Sequence, residues 1–181
     1  METNTITVGK PKVAGAVFRA PAGTTIPTTA DGTLDNAFIN LGYVSEDGVT
    51  NSNSAETENI TEWGGQVVLV VATEKPDTFQ LKLINTLDVN VAKAIYGDSN
   101  VTATTGGFTI TANANPVEDA IYVIDMVMTG GALKRIVIPV AQIGELGDIT
   151  YKRDEAVGYE VTLSALPDAS GNTHYEYVKT A

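Results

Sequence analysis

Twice in the second half of the chain a glycine pair separates two apolar, β-branched runs. Gly106-Gly107 lies between residues 101–105 and 108–112, and Thr129-Gly130-Gly131 lies between residues 120–128 and 132–140. Glycine enters the positive-φ backbone of a tight turn without steric cost, and runs this short are strands rather than helices. The pattern predicts antiparallel β-structure, and the rest of the chain agrees with it. Residues 67–73 and 78–84 flank Glu74-Lys75-Pro76-Asp77 as a further hairpin, and in the second run Phe79, Leu81 and Leu83 alternate with Thr78, Gln80 and Lys82. One face of that strand is core and the other polar. Further strands are expected at residues 13–19, 149–152, 158–165 and 174–178. In residues 121–128 both alternation phases are apolar apart from Asp125, the mark of a strand covered on both faces. The single convincing helix is at residues 87–95, where Leu87, Val91, Ala94 and Ile95 share a face. Asn85 or Thr86 is placed to cap it, Asp88 suits its positive end and Gly97 stops it. The fold class is therefore mainly β, a sandwich or barrel of about ten strands with one flanking helix. Residues 1–12 read as a polar arm, and residues 20–65 as a long loop broken only by apolar patches at 34–39 and 41–44.

The 181 residues suit one domain, 1–181, able to bury roughly 70% of its unfolded surface. Cysteine is absent and His174 is the only histidine, which excludes disulfide scaffolds, thiol catalysis and sites built on paired imidazoles. Net charge is −11. No Lys or Arg occurs between Arg19 and Lys75, a stretch carrying eight acids: Asp31, Asp35, Glu46, Asp47, Glu56, Glu58, Glu62 and Glu74. Nucleic-acid readers need a basic footprint to displace counterions, and anionic lipid surfaces attract the same footprint. Neither class of partner fits this chain. Met1 is followed by Glu-Thr-Asn-Thr rather than by the basic, then apolar, opening of a signal peptide, and no apolar run is long enough to span a bilayer. The expectation is a soluble protein made in a cytoplasm, with no membrane insertion.

No motif points to an enzyme. Gly9-Lys10 lacks the rest of a phosphate loop, and Asp98-Ser99 lacks the second glycine of a nucleophile elbow. The acid pairs Glu46-Asp47, Glu118-Asp119 and Asp154-Glu155 are neighbours in sequence, and on a strand neighbours face opposite sides. The Asp168–Asn172 stretch resembles half a calcium loop, but the ligand spacing and the closing Glu are missing, so it reads as a turn. His174, beside Tyr175 and Tyr177, reads as a strand-surface residue, and Trp63, beside Gly64-Gly65, as an apolar anchor. No cofactor, metal or catalytic group is expected. Two rivals remain: a carbohydrate-binding or adhesive β-sandwich, from the Thr, Asn and Tyr content, and a carboxylate hydrolase using a pair such as Asp154 and Glu155.

Three stretches carry a more specific signal: VGKPKVAGAVFRAPAGTTIPT at 8–28, AFINLGYVSEDGVTNSNSAETENITEWGG at 37–65 and AIYGDSNV at 94–101. Over residues 8–97 the chain resembles the major tail tube protein of long, non-contractile-tailed (siphophage-type) bacteriophages, while the remainder matches only in character. The resemblance implies a structural virion protein made in the host bacterial cytoplasm. It implies a β-sandwich with a flanking helix, hexameric rings whose inner wall is a continuous β-barrel, and rings stacked into a tube. It implies a tape measure protein inside the tube, tail tip and terminator proteins at its ends, and DNA passing through without tight binding. Some relatives carry an additional C-terminal immunoglobulin-like domain, which is not expected here. The long loop at 20–65 would reach an adjacent ring and order on assembly. Its acids then need cations on a neighbour, and the densest basic patches are Lys134-Arg135 and Lys152-Arg153. The expected inter-ring contact therefore pairs Glu46, Asp47, Glu56 or Glu58 with one of those patches, anchored by Phe38, Tyr43 and Trp63.

Overall fold

Strand alternation in the chain is converted into one nine-stranded antiparallel sheet and two separate hairpins. In this computed structural model, which describes residues 6–12 and 15–180, the sheet takes up β1 (Gly9–Pro11), β2 (Val17–Pro21), β3 (Ile39–Asn40) and β4 (Val44–Ser52). β5 (Glu56–Thr61) and β6 (Val67–Glu74) form a separate hairpin, after which β7 (Thr78–Leu83) returns to the sheet. Helix α1 (Val89–Tyr96) follows, then the small hairpin of β8 (Val101–Thr104) and β9 (Gly107–Ile110). The main sheet is completed by β10 (Ala120–Met128), β11 (Leu133–Leu146), β12 (Tyr159–Ala165) and β13 (Tyr175–Lys179). Its order is β3-β2-β10-β11-β12-β7-β4, with β1 also on β10 and β13 also on β11, all antiparallel.

β11 is where the sheet turns over. Its first half, residues 133–137, pairs with β13, and its second half, residues 141–146, pairs with β12 on the same edge. Between the halves the register against β10 slips, at Pro139, the residue that cannot donate to a ladder. Phe79, Leu81 and Leu83 of β7 meet Tyr159, Val161 and Leu163 of β12 in register, and Tyr122, Ile124, Ile136 and Ile138 complete the wall of the core. α1 closes it with Val91, Ala94 and Ile95, and Tyr96 stands edge-on to Tyr159 at 5.9 Å.

The helix begins two residues later than its apolar spacing suggested. Asp88 is the N-cap, accepting from Asn90 N at 2.8 Å, so Leu87 falls outside the helix and is exposed rather than buried. Gly97 stops it as expected, at φ 92, with its N–H on the Lys93 carbonyl. The two glycine-paired hairpins form as predicted. Four expectations fail. Residues 149–152 are irregular rather than a strand. The runs at 67–73 and 78–84 do not pair with each other: β6 takes β5, and β7 takes β4 and β12. Burying the Phe79-Leu81-Leu83 face against β12 outweighs the nearness of β6 in sequence. The polar loop at 20–65 contains β3, β4 and β5, and part of the arm is β1, lying along the β10 edge just beyond β2. Residues 1–5 of that arm, and residues 13 and 14 of the strand expected at 13–19, lie outside the described residues. Gly15, between β1 and β2, has φ 116, and a Cβ there would sit 2.4 Å from the Asn40 side chain.

β10 is buried on both faces from Ala120 to Asp125, as its sequence required. Asp125 and Arg135 face each other across β10 and β11, both buried. Arg135 grips the Asp125 carboxylate at 2.6 and 2.8 Å and turns its remaining donors to the Thr29 and Gly32 carbonyls at 3.0 and 2.7 Å. One arginine thus ties the polar segment around Thr29 and Gly32 to β11 and, through Asp125, to β10.

Candidate functional site

Among the described residues, none buries any part of the hairpin of β5 and β6. Its turn is closed by Glu62 N to Gln66 O at 2.9 Å and Gly65 N to Glu62 O at 2.8 Å, and Trp63 stands fully exposed at the tip. Every residue of both strands is exposed. Val67, Val68, Leu69, Val70 and Val71 each keep between 39% and 60% of their surface in water. Side chains directly opposite share a face, so Ile60, Leu69 and Val71 lie with Glu58 on one side. Thr57, Asn59, Val70 and Ala72 form the other. A lone two-stranded ribbon is marginal in water, and each of these aliphatic side chains gains about 1.5–3 kcal/mol on full burial. The ribbon also offers unpaired strand edges, which are templates for another chain. Glu56 sits opposite Glu74, a like-charge pair of the kind that weakens a strand pairing.

The base of the hairpin is clamped to the body. Asp77, buried at the start of β7, accepts Asn51 Nδ2 from the end of β4 at 2.8 Å. It also accepts Thr173 Oγ1 and His174 Nδ1 from the approach to β13, each at 2.5 Å. Both chain crossings into the hairpin, after β4 and before β7, are therefore held by one carboxylate. His174 is not a strand-surface residue: its side chain is largely buried and edge-on to Phe79 at 5.2 Å. Burial alone pushes Asp77 up, and it is the largest single effect. The bonds from Thr173, Asn51 and His174 together outweigh it and leave the carboxyl below its usual range. A depressed folded pKa contributes stability that is fully present above the ordinary carboxylate range, near pH 4, and is lost as pH falls through the folded value. Asp77→Asn should accordingly flatten the acid limb of the melting temperature measured between neutral pH and pH 3; an unchanged acid limb would show that Asp77 carries none of it.

The structure divides the expected contact residues into two groups. Glu56, Glu58 and Trp63 are on the hairpin. Tyr43, Glu46 and Asp47 are on the body, where the ladder between β4 and β7 is interrupted over residues 45–48 and Asp47 accepts from Ser45 Oγ at 3.0 Å. The basic patches change more. Lys134 and Arg135 are neighbours on a strand and face opposite ways: Lys134 meets Glu176 at 2.9 Å, while Arg135 is sealed against Asp125. Arg135 is thereby withdrawn from any surface patch. Lys152 bonds Glu155 at 2.8 Å, and Arg153 is exposed. Asp168 caps a turn, accepting the Ser170 and Asn172 amides and the Tyr175 hydroxyl, as the turn reading required.

The apolar strand β6 was the feature missing from the contact set expected from sequence. Its signal was present: five consecutive aliphatic residues without alternation, in a chain whose core strand β7 alternates cleanly. The exposed aromatics Tyr43, Trp63 and Tyr151 lie in three separate loops and turns. Among the described residues no three His, Cys, Asp or Glu side chains gather as a metal site, and no helix is long and apolar enough to cross a membrane.

A family model described as phage tail tube protein matches residues 2–181. A search of curated proteins returns no match.

Proposed function

The chain belongs to the phage tail tube protein family and has a structural role in the tail tube; from that premise we propose that it assembles as stacked hexameric rings, with the β5–β6 hairpin as the part each copy gives to its neighbours. The observation that carries this reading is the wholly exposed aliphatic strand β6. An element apolar on both faces and unpaired at its edges is a liability on a monomer and a joint in a closed assembly. Tyr43, Glu46 and Asp47 on the body, facing Lys152 and Arg153 of another copy, supply a second, charged contact that sets register more than strength. The rest of the reading concerns traffic through the tube. A body of net charge −11, with seven of its eleven bases already in internal ion pairs, lets DNA slide during ejection without gripping it. The tape measure protein occupies the lumen before ejection, and tip and terminator proteins close the ends. Such a protein is made in the host cytoplasm and ends in the virion.

Negative-stain microscopy of the purified chain across concentration and salt tests this. Tubes or rings of uniform diameter, hexameric by native mass, are expected. A chain that stays monomeric under all those conditions would overturn the proposal.

A further inference from the structure

We propose that the cavity between Arg19 and Lys93 on one copy receives the Trp63 tip of another, so that the ligand of this site is a second copy of the same chain. This rests on the self-assembly reading and names the site through which it acts.

The tip is one half. Trp63 is fully exposed, Glu62 precedes it, and the hairpin from residue 56 to 74 holds four acids and no base. At about 3.3 Å per residue, the eight residues of β6 carry the tip roughly 25 Å along the ribbon from its base, far enough to address a neighbour.

The receptor is selected by charge. Four surface cavities are candidates. The one beside Leu87 and Phe108 carries Asp88 alone. The one under residues 45–50 carries Asp47 and Glu160 against Lys82, and the one beside β13 carries Asp31 and Glu176 against Lys179. Each of these is net negative and repels an acidic tip. The fourth, of about 240 Å³, carries Arg19 and Lys93 against Asp98, with Pro21, Ile39 and Leu41 as its apolar wall. It alone of the four is net positive, and it has room for one indole.

Of its two cations, among the described residues, one is unpaired and the other incompletely satisfied. Arg19 is fixed in register opposite Tyr122, reaches Asp98 only at 3.4 Å, and keeps a buried Nε with no acceptor. Its other nitrogens are engaged by Asp98 and the Tyr122 hydroxyl, so the buried Nε is the one donor left to explain. Lys93 projects from α1 and has no ion-pair partner among the described residues. A tryptophan against an aliphatic wall, with cations at its ring face and an adjoining carboxylate for Lys93, is the kind of central anchor that dominates interfaces.

The chain has a single tryptophan, so its fluorescence reports on the tip without modification. On assembly of the full chain, Trp63 emission should shift to the blue and acrylamide quenching should fall several-fold. Lys93→Glu and Glu62→Lys should each raise the concentration needed for assembly by about tenfold or more, and the double variant should restore it. Tubes in which Trp63 is quenched as readily as in the monomer would overturn the proposal while leaving tube formation standing, as would a double variant no better than the singles. Wild-type chain that forms no assembly at all would instead overturn the self-assembly reading, and the proposal with it.

Discussion

Leu69→Asp together with Val71→Asp is expected to abolish assembly while leaving the melting temperature of the monomer within about 2 °C of the parent. Both side chains lie on the hairpin face shared with Ile60, and both are exposed within one copy. Surface substitutions that disturb no packing usually change stability by less than about 0.5 kcal/mol. In an assembly that buries this face, two carboxylates lose hydration with no base on the hairpin to pair them, a penalty of several kcal/mol for each buried ion. Light scattering for assembly and circular dichroism for melting separate the two effects. A variant that still forms tubes would remove the hairpin face from the interface, and a variant that melts early would show that β6 is packed within its own copy. Deleting residues 46–58 is the wrong experiment for the same question. It would take out most of β4, which pairs with β7 over the core, and would confound folding with assembly.

Arg135→Met should cost about 3–5 kcal/mol of unfolding free energy. The substitution leaves the Asp125 carboxylate buried, with Lys12 at 3.7 Å as its remaining cation. It also strands the Thr29 and Gly32 carbonyls, so the segment around them should become a site of early proteolysis. Asp125→Leu alone should be comparably damaging, because it leaves the arginine charge unpaired. The double variant should recover part of the loss, since removing both members of a buried pair is far cheaper than removing one. Urea unfolding of the three variants measures this; strictly additive losses would mean that the two groups act independently despite their contact.

Much of the fold was legible in the sequence wherever a strand or helix buries one face. Phe79, Leu81 and Leu83 alternate because their face is core, the glycine pairs sit where the backbone must take a positive φ, and Asp88, Val91 and Gly97 bracket a helix. The likeness to tail tube proteins was likewise carried by residues in plain view, and the family match runs over residues 2–181. Hydrophobic patterning records burial within one chain, and it is silent where strands stay wet. β4 and β5 are mostly exposed, so nothing in their alternation distinguishes them from loop. β6 is apolar on both faces and so chooses no side, which left its partner to be settled by β7, already committed to β12 and β4. The fate of Arg135 was decided by register alone. Next to Lys134 in sequence it reads as half of a basic patch, but opposite Asp125 across β10 and β11 it is the interior clasp of the polar segment. Local sequence specified which elements form, because propensity, turns and alternation act between near neighbours. Only the tertiary structure decided which surfaces were left uncovered, because that depends on pairings between strands far apart in the chain.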